Sequence, residues 1–122
     1  MDFYEYQQAT DETAVYSDGV REIVYESSII MEEQILTLSY LTLGLVGEAG
    51  EVANKLKKVI RGDRSLENAK EAVSSELGDV LWYAAQIAET LDMNLNDIAA
   101  DNLKKLDVRK TTHVIKGDGD NR

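Results

Sequence analysis

Leu43-Gly44-Leu45-Val46-Gly47-Glu48-Ala49-Gly50-Glu51-Val52 sets two carboxylates three positions apart inside an apolar run. Ser75-Glu76-Leu77-Gly78-Asp79-Val80-Leu81-Trp82 repeats the arrangement, with 24 residues between Glu51 and Glu76. Residues three apart share one face of a helix, one turn from each other. Each pair is therefore a two-pronged acidic claw if its segment is helical. Isolated carboxylates are costly to bury, and four facing one another raise each other's pKa or push a core apart. A bound cation removes that conflict. Without one, neutralising a member, as in Glu76→Gln, is expected to stabilise the fold while destroying activity.

The stretch between the claws reads as a helical hairpin. Its midpoint falls at Asp63 and Arg64, within Arg61-Gly62-Asp63-Arg64-Ser65. Gly62 suits a helix C-terminus, and Lys57, Lys58 and Arg61 suit its negative dipole end. Ser65 suits an N-cap, with Glu67 and Glu71 in the turns that follow. Glu51 and Glu76 each lie about 10 residues, roughly 15 Å of helix, from the turn. An antiparallel hairpin brings both claws to one height. One such spacing arises easily by chance among 23 acidic residues, but two matched about a turn do not.

The rest of the chain bounds the problem. Its 122 residues suit one domain, 1–122, with a tail over 110–122. A core of that size gains from oligomerisation. There is no proline, which permits long helices, and no cysteine, which fits an intracellular, cytoplasmic location. No segment is expected to serve as a signal peptide or membrane span. A net charge of −10 argues against nucleic-acid binding. It permits a nucleotide ligand whose phosphates are met through a divalent cation.

Apolar periodicity predicts an all-α protein, a bundle of four principal helices. The first spans about 2–16, with Phe3, Tyr6, Thr10 and Ala14 on one face, and Ser17-Asp18-Gly19 reads as a turn. Residues 20–30 are ambiguous between an irregular connection and added helix. The second helix spans about 32–61, with Leu38, Leu45, Ala49, Val52, Leu56 and Val59 inward. The third spans 65–91, with Val73, Leu77, Val80, Ala84, Ile87 and Leu91 inward. The fourth runs from a cap at Asn94 or Asn96 to about Lys110.

Polar lines accompany those seams. Gly44, Glu48, Glu51, Lys55 and Lys58 align on the second helix, and Glu76, Asp79, Tyr83 and Gln86 on the third. Asn102, Lys105 and Arg109 align on the fourth. Two acidic lines and one basic line suit a metal–polyphosphate ligand. All candidate ligands are carboxylates, which favours Mg²⁺ or Mn²⁺. The single histidine, His113, lies in the tail, so a Glu-x-x-His di-iron site is absent. Trp82 reads either as core or as a platform for a base, and Tyr83 as a hydroxyl contact to phosphate or sugar. Gly47 and Gly50 read as room for a ligand or a close helix approach, each at about 0.8–1 kcal/mol of helix propensity.

Glu48-x-x-Glu51 followed by Glu76-x-x-Asp79 resembles the signature of the all-α nucleoside triphosphate pyrophosphohydrolases, the MazG-like and dCTPase-like group. Glu5-Tyr6-Gln7 resembles that group's opening helix, and the Leu43–Glu51 segment its first-claw helix. Asn102, Lys105-Leu106 and Arg109 resemble its final helix, and Gly117-Asp118-Gly119-Asp120-Asn121-Arg122 the tail of single-domain members. The resemblance implies Mg²⁺-dependent hydrolysis of a (deoxy)nucleoside triphosphate to monophosphate and pyrophosphate. Glu48, Glu51, Glu76 and Asp79 would hold the metal, with Glu48 and Glu51 the catalytic pair. Lys55, Tyr83, Asn102, Lys105 and Arg109 would contact substrate. The resemblance also implies a homodimer or homotetramer with sites completed across chains. Two other readings compete: a related all-α pyrophosphatase for dUTP or phosphoribosyl-ATP, and a non-catalytic acidic module that binds Mg²⁺-nucleotide.

Overall fold

The computed structural model describes residues 1–27 and 33–112. They form five α-helices and no strand: α1 (Phe3–Thr10), α2 (Tyr16–Ser27), α3 (Glu33–Ile60), α4 (Leu66–Thr90) and α5 (Leu95–Thr111). His113 and the Gly117–Arg122 motif lie outside the described residues.

The hairpin forms as the turn chemistry dictates. Gly62 takes φ 88°, in the left-handed region that only glycine enters freely. Its N–H donates to the Val59 carbonyl, which closes α3. Ser65 then caps α4 by accepting from the Asn68 N–H at 3.2 Å. Asn94 caps α5 in the same way through the Asn96 N–H. α3 and α4 make the most extensive pairing in the fold. Gln34 Nε2 donates to the Thr90 carbonyl at the far end, Gly44 underlies the Tyr83 ring, and Lys55 meets Glu76 near the turn. These pairs are centred on Asp63 and Arg64, so the helices run antiparallel in the predicted register.

The first 27 residues depart from expectation. The single helix over 2–16 ends at Thr10, a 3₁₀ turn covers Asp11–Thr13, and Ala14 leaves helical geometry at ψ 60°. Ser17-Asp18-Gly19 is no turn; it opens α2, where Asp18 suits the helix N-terminus and pairs with Arg21. Tertiary contacts override the local signal. Tyr16 stacks on Tyr40 with ring centroids 5.2 Å apart and donates to Gln86 Oε1 at 2.8 Å. Val20 is buried one turn later. The four principal helices expected are therefore five.

The stripe predicted for the first helix holds in part, with Thr10 buried and Tyr6 and Ala14 half-buried. Gln7 and Thr10 are the buried residues of α1, and Phe3 is exposed. Gln7 Nε2 donates to Glu89 and to the Met93 carbonyl, while its Oε1 accepts from the Leu95 N–H. Gln86, only 1% exposed, donates to Thr10 and Asp11. The predicted apolar seams hold in part: Leu38, Leu45, Val52 and Val59 of α3 and Val73, Val80, Ala84 and Ile87 of α4 are half-buried. Leu41, fully buried, anchors α3, whereas Ala49 and Leu56 face out. On α4 the buried positions are Ala69, Ala85, Gln86 and Ala88, while Leu77 and Leu91 are exposed.

Apolar side chains remain exposed on every helix, among them Ile35, Leu43 and Val46 on α3 and Leu103, Leu106 and Val108 on α5. Contrary to the sequence expectation, α3 has the length and hydropathy to cross a membrane. It instead packs against α4, with acidic groups on the shared face.

Candidate active site

Charged groups share the inward side of α3 with the apolar seam. Leu41, Glu48 and Lys55 fall on one stripe of α3, seven residues apart, which is nearly two helical turns. Glu76 and Asp79 face them from α4. One carboxylate oxygen from each of Glu48, Glu76 and Asp79 lies within 4.8 Å of the others. Glu48 and Glu76 are half-buried, and Asp79 is open to solvent. Three convergent oxygens of this kind fit a hard divalent cation, which takes all-oxygen ligation and keeps several waters.

Glu51 stands apart from this trio. Its Oε2 lies 3.4 Å from Lys55 Nζ, which also lies 3.3 Å from Glu76 Oε1. Lys55, expected at the substrate, is here an ion-pair bridge between the two claws.

Glu48 carries the electrostatic cost of the cluster. Burial pushes its carboxyl above the ordinary value of 4.5, and Asp79, Glu76, a hydrogen bond with Glu76 and Glu51 add to the shift. A carboxyl whose folded pKa is raised binds its proton more tightly in the folded state. Its stabilising contribution is complete below the unfolded value and is lost as pH rises through the folded value. The metal-free fold is thus expected to lose this contribution as pH rises from 4.5. The Glu48→Gln variant should melt above the wild type at neutral pH in EDTA, with the difference closing in acid. Parallel melting curves across the range would refute this. Relief of repulsion, first expected at Glu76, thus moves to Glu48, because Glu76 also supports Lys55.

A pocket of about 400 Å³ opens beside the trio, lined by Thr13, Glu48, Asp79, Trp82 and Tyr83. Trp82 Nε1 donates to Thr13 Oγ1 at 2.7 Å, so the indole edge is fixed. Its ring meets Tyr83 edge-on at 5.0 Å and Tyr16 at 6.2 Å. Burial and a hydrogen bond with Tyr40 raise the Tyr83 hydroxyl's pKa. Tyr6, whose hydroxyl donates to the Gly78 carbonyl at 3.5 Å, is raised by burial and by Asp79. Tyr83 lines this pocket one turn beyond Asp79. Thr13 and Tyr40 had no signal in the sequence, since each reaches the site only through the fold.

The close approach is at Gly44, not at Gly47 or Gly50. A Cβ on Gly44 would lie 2.2 Å from Tyr83 Cε1, whereas one on Gly47 or Gly50 would meet nothing within 4 Å. Asn102 and Lys105 lie exposed on α5 and Arg109 is half-buried there, none of them in the carboxylate cluster.

The MazG nucleotide pyrophosphohydrolase domain matches residues 36–114, from the start of α3 past the end of α5. The chain belongs to the MazG family. As a MazG protein it is similar to the Gene 37 protein of Mycobacterium phage L5, 46% identical over 120 residues that cover 96% of each chain. No solved structure matches it. The family supports nucleotide pyrophosphohydrolase activity, a hydrolysis of acid anhydrides, and the three-carboxylate cluster of this MazG domain is a candidate for its divalent metal.

Proposed function

We propose that the chain hydrolyses (deoxy)nucleoside triphosphates to nucleoside monophosphate and pyrophosphate with Mg²⁺. The observation that carries this reading is the convergence of Glu48, Glu76 and Asp79 beside an aromatic-walled pocket. Mg²⁺, or Mn²⁺ in its place, neutralises phosphate charge and lowers the pKa of a bound water. Glu48, Glu76 and Asp79 would hold it, and Glu51 would complete the set. A cluster carboxylate not fully used in ligation would accept the water's proton as the α–β anhydride bond breaks. Glu48 and Glu51 are the catalytic pair in this scheme. Trp82 offers a face to the base, and Tyr83 a hydroxyl to sugar or phosphate. Release of pyrophosphate from a panel of ribo- and deoxynucleoside triphosphates, with and without Mg²⁺, tests it. No release from any of them would leave a binding module, and release from dUTP alone a narrower pyrophosphatase.

We further propose that the protein acts as a dimer or tetramer. The exposed apolar residues of α3 and α5 support this, because a second copy is the simplest cover for them. The exposed positions of Asn102 and Lys105 on α5 leave them open to a neighbouring chain. Lys105→Ala and Arg109→Ala should lower kcat/KM for triphosphates without loss of helicity by circular dichroism. Mixing Glu51→Gln with Arg109→Ala under subunit exchange should restore part of the activity. A monomeric mass with full activity at nanomolar protein would overturn the shared-site arrangement.

A further inference from the structure

Lys55 differs from an ordinary surface lysine in three respects. It is 22% exposed, and its partner Glu76 is 18% exposed. It bridges two helices rather than pairing only within α3. It also engages Glu51, the one claw carboxylate absent from the convergent trio. An exposed i,i+4 pair would contribute little and fix nothing. Here one ammonium joins both claws and accounts for where Glu51 is held.

We propose that Lys55 is a resident counter-ion of the metal-free site, which reserves Glu51 and Glu76 and gives them up when a divalent cation is bound. This rests on the metal reading above. An ammonium 3.3 Å from Glu76 Oε1 repels a dication held by the same carboxylate. Lys55 must then move, and lysine suits that motion, since its charge is a point on a flexible stem. Two consequences follow for the chain's own residues. In the metal-free protein Lys55 offsets the repulsion that Glu48 feels from its neighbours, which lets an acidic helical pair close without an ion. In the loaded protein Glu51 is released to join the trio, and the ammonium is freed on the same stripe of α3, toward incoming phosphates. Lys55 is thus a positioning residue that times when Glu51 becomes available.

The Lys55→Met variant keeps most of the stem and removes the charge. In EDTA it should melt below the wild type. Its affinity for Mn²⁺, read by calorimetry or by the free-Mn²⁺ electron paramagnetic resonance signal, should rise about 10-fold, the scale on which residues beside metal ligands act. Lys55→Arg should keep wild-type affinity or weaken it. A second measurement uses the wild-type fold: the ¹³C-dimethyl-lysine resonance of Lys55 should shift and narrow as Mg²⁺ saturates the protein. Equal Mn²⁺ affinity in wild type and Lys55→Met, or a Lys55 resonance indifferent to Mg²⁺, overturns the proposal and leaves the metal site standing. No Mn²⁺ binding by either protein overturns both together.

Discussion

Asp79→Asn and Glu76→Gln are each expected to lower kcat at least about 100-fold, or roughly 2.7 kcal/mol of lost transition-state stabilisation. Each neutralises one of three carboxylates whose oxygens lie within 4.8 Å of one another. Their effects on the fold should differ. Asp79 is exposed and, among the described residues, makes no ion pair, while its charge repels Glu48, so Asp79→Asn should not lower the melting temperature in EDTA. Glu76 holds Lys55, so Glu76→Gln should lower it. Glu51→Gln should also lose at least about 100-fold in kcat. EDTA should abolish turnover in the wild type, and Mg²⁺ should restore it. Full turnover in EDTA would end the metal-dependent reading.

The second large effect concerns stability. Alanine in place of glycine inside a helix ordinarily gains about 0.8–1 kcal/mol. Gly78, with open space where its Cβ would sit, should follow that rule. Gly44 should break it, because its new Cβ would lie 2.2 Å and 2.3 Å from two atoms of the Tyr83 ring. That ring cannot simply turn away. Trp82 flanks it edge-on, and Tyr40 holds its hydroxyl. Overpacking of this kind costs about 1–3 kcal/mol. For Gly44→Ala a fall in melting temperature on the order of 10 °C is expected. KM should rise with it, since Tyr83 lines the pocket. A Gly44→Ala protein as stable as the wild type would show that the helices can separate there.

The hairpin was legible because it is written in local chemistry. Gly62, Ser65 and the spacing of the claws act within a turn or two of themselves, and helical period carries them to one height. What escaped sequence reasoning is set by contacts far apart in the chain. Ser17-Asp18-Gly19 has the composition of a turn, yet Tyr16 and Val20 dock on residues of other helices and pull it into α2. Gln86 reads as part of a polar line beside the seam, and Gln7 as part of a polar first helix. They are buried because their amides are satisfied by partners about 75 to 90 positions away. The inward sides of α3 and α4 also take in Glu48, Lys55 and Glu76, half-buried charged residues that apolar periodicity ignores. Lys55 is the clearest case. Its pairing with Glu51 follows from i,i+4 spacing, but its bridge to Glu76 needs the hairpin closed.

All four claw carboxylates come from two helices joined by one tight turn, so the acidic set is written in one unbroken stretch, Glu48 to Asp79. Such a stretch can be inherited, duplicated or transplanted as a cassette. The segment that shapes the far wall of the pocket, Thr13 with α1 and α2 around it, is separate text, and it precedes the part of the chain that the family domain matches. Mutation can therefore rewrite the wall that meets a ligand while the metal-holding hairpin stays fixed. A lineage built this way diversifies what it accepts at one end of its gene and preserves its chemistry in the middle.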